Sequence, residues 1–130
     1  MSDNAIVVTL AMSLSDAEAK VRDALKEEGF GVLTEIDVEA TLRTKLGEEV
    51  GPYKILGACN PSLAHKAIGI DREVGLMLPC NVLLRDTGDG GTEVLAADPS
   101  AMVTLFGDAL SEVAANAREK LARAMARLDS

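Results

Sequence analysis

The sequence has very few aromatic side chains: its 130 residues include two Phe, one Tyr and no Trp. The hydrophobic fraction of 48% must therefore be mainly aliphatic, and we expect a core of Val, Leu, Ile, Ala and Met. Long apolar runs are also absent. The run at residues 5–12 is shorter than the roughly 18 residues of a membrane span, and it lacks the preceding basic segment of a secretory signal. These features predict a single domain over residues 1–130, located in the cytoplasm.

Positive charge is scarce as well. Thirteen Lys and Arg residues against 21 Asp and Glu residues give a net charge of −8, and there is no basic run. Because nucleic-acid affinity comes mostly from Lys and Arg neutralising phosphates, this balance opposes binding to DNA or RNA. It disfavours anionic membrane surfaces for the same reason. The two cysteines are expected to be thiols in a reducing compartment.

Hydrophobic periodicity predicts the order β-α-β-(α)-β-α-β-β-α. Strands are expected at residues 5–11, 30–37, 53–58, 76–85 and 92–97. Helices are expected after a capping box at Ser15 and Glu18, then at residues 38–46 and 61–68, in one turn after Asp98-Pro99, and at residues 108–128. Pro79 cannot donate to a ladder, so the strand at 76–85 is predicted to be an edge or bulged strand. The order predicts an α+β two-layer sandwich, with helices on one face of a largely antiparallel sheet.

The two cysteines occur in related contexts, because each precedes an asparagine and lies near a proline. Twenty residues separate Cys59 from Cys80, so they do not form a CxxC redox or zinc pair. Cys59 precedes a predicted helix N-terminus, which can stabilise a thiolate, whereas burial in a strand would raise the pKa of Cys80. Two interpretations remain open at this point: a pair of reacting thiols, or two small hydrophobic core residues.

His65, Asn60 and Asn81 are the other candidate site residues. His65 follows Cys59 by six positions, and with both cysteines it would supply zinc-type ligands, though only three of them. An exposed helical histidine is the favoured alternative. Asn60 is expected to cap a helix and Asn81 to lie on an edge strand, unless their amides point into a pocket. The known hydrolase, metalloprotease and phosphate-loop motifs are missing from the sequence, which favours a protein that is not an enzyme.

The segments YKILGACNP (53–61), AHKA (64–67) and GLMLPCNV (75–82), together with Asp98-Pro99, resemble the domain-of-unknown-function 302 (DUF302) family. The resemblance covers nearly the whole chain. It implies a two-layer sandwich similar to the TATA-binding-protein arrangement, often dimeric, with no established biochemical role. The family pattern includes seven residues as they stand in this sequence: Cys59, Asn60, Pro61, His65, Pro79, Cys80 and Asn81.

Three functional hypotheses follow. The first is a small-ligand-binding domain with an apolar cleft, at whose mouth Asn60, Asn81 and the thiols lie. The second is thiol chemistry, either redox sensing or metal handling, with Cys59 as the activated thiol and Cys80 as its partner. The third is a structural or regulatory homodimer, paired through the predicted edge strand. The sequence identifies neither a cofactor nor a particular metal.

Overall fold

The computed structural model describes residues 4–129, in which five antiparallel strands form one open sheet. The sheet order is β1-β5-β4-β3-β2, so β4 is the central strand and β1 and β2 are the edges. The strands are β1 (Ala5–Leu10), β2 (Gly31–Asp37), β3 (Tyr53–Cys59), β4 (Cys80–Asp86) and β5 (Thr92–Ala97). The predicted α+β class with an antiparallel sheet is confirmed.

The described residues also form five α-helices and two short 3₁₀ segments, of which the last two helices and the second 3₁₀ segment follow β5. The α-helices are α1 (Leu14–Glu27), α2 (Val38–Leu46), α3 (Pro61–Ile70), α4 (Ala101–Phe106) and α5 (Ser111–Arg127). The 3₁₀ segments are Arg72–Met77, between α3 and β4, and Asp108–Leu110, before α5. Helices α1 and α5 pack against each other and against one face of the sheet.

Most helix ends follow from local sequence. Asp37 caps α2 by accepting from the Ala40 amide at 2.9 Å, and Gly47 ends it in a left-handed conformation. The expected cap of α1 was wrong, because Ser13 rather than Ser15 accepts from the Asp16 amide. Helix α3 also continues past Gly69, which was expected to end it.

The interior consists of two aliphatic clusters. The main cluster lies between the sheet and helices α1 and α5, and its strand residues Leu56, Val82, Leu84 and Val94 are fully buried. A second cluster joins α3, α4, the 3₁₀ segments and the first turns of α5 around Val74 and Leu110. Helix α5 contributes to both clusters, so their boundary runs beneath it.

The expected strand at residues 76–85 was wrong in its first part. Residues Arg72–Met77 form a 3₁₀ helix, and Pro79, which follows a cis Leu78–Pro79 peptide, precedes β4. Pro79 therefore does not mark an edge, because β4 begins at Cys80 and pairs with both β3 and β5. The strand at residues 30–37 also departs from the regular half-buried strand that was expected. Its pairing is irregular between Val32 and Thr34, and Ile36, which was expected on one face with Phe30 and Val32, is 50% exposed.

Candidate functional site: an apolar cleft with two thiols

A cleft opens at the boundary between the two aliphatic clusters, and we name it the thiol cleft. Its cavity volume is about 20 Å³. Its walls come from the last residues of β3, the first residue of β4, helices α3 and α5, and one residue of α4. Phe30 and Leu78 add to these walls from the segments before β2 and β4. The lining residues are Phe30, Ala58, Cys59, Asn60, Leu63, Ala64, Ala67, Leu78, Cys80, Met102, Val113 and Ala117.

The two cysteines line this cleft together, Cys59 from the last residue of β3 and Cys80 from the first residue of β4. Cys80 lies opposite Ala58 in the antiparallel register, and Cys59 is the next residue after Ala58. Both are free thiols and both are partly buried. Burial and, to a smaller extent, the charge of a Cys59 thiolate together raise the pKa of the Cys80 thiol to about 11. Cys80 is therefore a neutral thiol at pH 7.

Asn60 lies at the cleft wall as a helix cap. Its Oδ1 accepts from the Leu63 amide at 3.3 Å, and its Nδ2 donates to the Glu28 carbonyl at 3.4 Å. The amide therefore ties the start of α3 to the end of α1. Gly29 has φ +84°, which glycine adopts without strain, and a Cβ there would lie only 3.1 Å from Asn60 Nδ2. Glycine therefore suits both the backbone conformation and the close approach of Asn60 at this turn.

The other two candidates lie elsewhere. His65 is exposed on α3 and is not among the lining residues, which agrees with the favoured alternative for it. Asn81 is exposed on β4, opposite Gly57, and lines a second cavity with Cys80, Met77 and other residues. It was expected on an edge strand, but β4 is central. Within residues 4–129 no three side chains of His, Cys, Asp or Glu are grouped to hold a metal ion, so Cys59, Cys80 and His65 do not form the zinc-type set.

Sequence reasoning missed part of the cleft. Phe30, Met102 and Val113 lie in three separate segments, and only the sheet order and the path of α5 bring them to the cysteines. The spacing along α3 did place Leu63 and Ala67 inward, and both are buried. None of the helices formed by residues 4–129 is long and apolar enough to span a bilayer.

Comparison with known proteins supports the resemblance in the cysteine motifs. The family model described as "Domain of unknown function DUF302" matches residues 6–128. A crystal structure of an uncharacterized conserved DUF302 protein from Bacillus stearothermophilus superposes with a TM-score of 0.88. It is 30% identical in sequence, and the match covers 97% of this chain and 98% of that one. No curated protein matches the sequence.

Proposed function

We propose that this chain, which belongs to the family described as domain of unknown function DUF302, binds a small apolar ligand in the thiol cleft. The observation that carries the proposal is the composition of the wall. Eleven of the twelve lining residues are aliphatic, aromatic or sulfur-bearing, and Asn60 is the exception. Ligand sites in proteins combine such a wall with few polar groups.

The position of the cleft supports this proposal. Phe30 and Ala58 belong to the main aliphatic cluster, whereas Leu63, Met102 and Val113 belong to the second one. Two clusters that meet along a boundary pack less continuously there than inside either cluster, and apolar voids of this kind accept small apolar molecules. The ligand is very small, because a cavity volume of about 20 Å³ is little more than the space that one water molecule needs.

Xenon is a suitable first probe, since it enters apolar cavities without needing a polar partner. We expect xenon to shift the backbone amide resonances of Cys59, Leu63 and Met102 in a ¹H–¹⁵N correlation spectrum. An Ala64→Leu variant should abolish these shifts, because Ala64 is a half-buried lining residue and a larger side chain would fill the cleft.

The matched control is Ala115→Leu. Ala115 lies on α5 but is exposed and is not a lining residue. This variant should keep the xenon shifts of the parent chain. Shifts that persist in Ala64→Leu, or that are absent from the parent chain, would contradict the proposal.

Reversible thiol oxidation is a second candidate function, favoured by the presence of both thiols in the lining of one cleft. Cys80 pairs with Ala58, the residue before Cys59, so the two cysteines are near neighbours at the end of the ladder. The charge of a Cys59 thiolate also raises the pKa of Cys80, as expected for two sulfurs that are close together. With hydrogen peroxide as the oxidant, the two thiols would lose their hydrogens and form one S–S bond, while the peroxide O–O bond breaks to give two waters.

Mass spectrometry of the intact chain tests this candidate. After treatment with hydrogen peroxide, the monomer mass should fall by two hydrogen atoms and recover with a reductant. Cys59→Ser and Cys80→Ser should each abolish the fall. Oxidation that only adds oxygen atoms would exclude a Cys59–Cys80 disulfide.

A further inference from the structure

Sulfur is concentrated around Cys80. The sequence contains two Cys and five Met residues. The thiol cleft is lined by Cys59, Cys80 and Met102, and the second cavity is lined by Cys80, Met102 and Met77. Leu78, Cys80 and Met102 therefore form a wall that the two cavities share. Four of the seven sulfur-bearing residues surround this wall, although they come from four separate segments of the chain.

We infer that the thiol cleft binds Cu(I) through the sulfurs of Cys59, Cys80 and Met102. Thiolate and thioether ligands select soft ions such as Cu(I), whereas harder divalent ions prefer oxygen and imidazole. The wall provides two thiols and one thioether. Its other residues are apolar except for Asn60, whose amide already bonds to the Leu63 amide and the Glu28 carbonyl.

Charge balance also favours a cation in this place. Binding transfers the thiol protons to solvent, while the oxidation state of Cu(I) does not change. The net charge of −8 adds a favourable long-range attraction for a cation.

This inference rests on the proposed function, because it requires that the same cleft admit a ligand. It differs from the proposed function in the chemistry of the ligand and in the residues on which the affinity for the ligand depends. Met102 is 3% exposed and reaches the cleft from α4. For an apolar ligand, Met102 is one wall residue among twelve, and leucine would replace it with little loss. For Cu(I), its thioether is one of three donors.

The experiment is an anaerobic titration with Cu(I), in which the chromophoric Cu(I) chelator bathocuproine disulfonate competes with the protein. We expect one Cu(I) per chain, withdrawn from the chelator. Cys59→Ser and Cys80→Ser should each abolish this. Met102→Leu should weaken binding at least about tenfold, since leucine has a similar volume but no sulfur.

Met125→Leu is the matched control. Met125 is buried to a similar degree, at 2% exposed, but it lies in the main cluster and does not line the cleft. It should bind Cu(I) as the parent chain does. Copper X-ray absorption gives an independent readout: three sulfur neighbours are expected in the parent chain and two in Met102→Leu.

The outcomes separate this inference from the proposed function. Xenon binding without Cu(I) binding would overturn the copper site and leave the apolar site standing. Failure of both probes would overturn both. Equal affinity of Met102→Leu and the parent chain would overturn the three-sulfur site, as would binding of Zn(II) in preference to Cu(I).

Discussion

Leu83 and Leu95 lie opposite each other at the middle of the sheet, in the ladder between β4 and β5. Their neighbours Val82, Leu84, Val94 and Ala96 are buried toward α1 and α5, so Leu83 and Leu95 point to the other face. The ladders extend this pair into one apolar row across all five strands. The row is Ile36, Ile55, Leu83, Leu95 and Val7.

This face has the composition of an interface between copies of the chain. Among the described strand residues on this face the charged ones are Arg85 and Glu93, and they form an ion pair with each other. The face therefore carries no net charge, although the whole chain carries −8. Two acidic chains can meet here without bringing like charges together. The expected edge strand at residues 76–85 was wrong, because β4 is central and has no free edge for pairing. We predict a homodimer through the open face instead.

The first prediction is that Leu83→Glu separates this homodimer. A carboxylate at the centre of the row would be buried without a partner, which opposes association. Light scattering after size-exclusion chromatography should give twice the chain mass for the parent chain and the single chain mass for the variant. Leu105→Glu is the control, because Leu105 is 63% exposed on α4 and should leave the dimer intact. A monomeric parent chain at high concentration would contradict the prediction.

The second prediction concerns Gly57, where two side chains cross the β3 backbone. A Cβ at Gly57 would collide with Thr34 Oγ1 and would lie 2.7 Å from Pro79 Cγ. Gly57→Ala must therefore shift both the Thr34 side chain on β2 and the Pro79 ring in the segment before β4. We expect a loss of about 1–3 kcal/mol in the free energy of unfolding, typical of overpacking. Urea denaturation measures this loss.

Gly69→Ala is the control for this substitution. Gly69 lies within α3, and a Cβ added there would meet no described atom within 4 Å beyond its own helix backbone and chain neighbours. Alanine favours helix over glycine, so this variant should be more stable by up to about 1 kcal/mol. Equal effects of the two substitutions would show that the contacts of Gly57 do not matter.

Local signals predicted most of the elements, and the errors have physical causes. Ser13 and Ser15 are each followed three residues later by an acidic residue, so the sequence pattern fits two starts of α1 and only tertiary packing selects Ser13. Leu76, Leu78 and Cys80 alternate as in a strand. Alternation alone does not distinguish a strand from an apolar 3₁₀ segment that packs against α3.

The sequence predicted only those residues of the site that a local sequence motif marks. The Cys-Asn motifs identified Cys59, Cys80 and the cap Asn60, because the immediate sequence neighbours of these residues are enough to single them out. Met102 carries no local sign of a site: on α4 it has the pattern of a core residue. Its place beside Cys80 depends on the order of strands and on the packing of α4, which are long-range properties.

The third prediction concerns pH and Glu28, which is 8% exposed. Hydrogen bonds from Arg123 and Arg127 hold its pKa below the ordinary value of 4.5. The pKa is lower in the folded state than in the unfolded state, so the stabilisation is complete well above pH 4.5 and is lost as the pH falls through the folded-state pKa. Glu28→Gln should cost about 1 kcal/mol at pH 7, because both arginines are half exposed.

Urea denaturation of the parent chain and Glu28→Gln between pH 7 and pH 3 measures this difference. It should shrink below pH 4.5, since protonated Glu28 resembles Gln. Glu119→Gln is the control, because Glu119 also pairs with Arg123 but is 68% exposed. Its effect should stay within about 0.5 kcal/mol. A Glu28→Gln difference that is constant with pH would contradict the assigned role of the carboxylate.

The fourth prediction concerns the reactivity of Cys80. Because burial raises its pKa to about 11, only a small fraction of Cys80 is thiolate at pH 8, and the thiolate is the form that reacts. In a Cys59→Ser chain, alkylation of Cys80 by iodoacetamide should therefore be slow at pH 8. Its rate should rise about tenfold per pH unit from pH 8 to pH 10.

Removing Cys59 also removes the nearby charge that raises the pKa of Cys80. In the parent chain, the alkylation rate of Cys80 should therefore begin to rise at a higher pH. Peptide mass spectrometry at each pH gives the rate for each thiol. A rate that levels off below pH 9 would contradict the prediction, because it would mean that the Cys80 sulfur is more accessible to solvent than its partly buried place in the cleft wall implies.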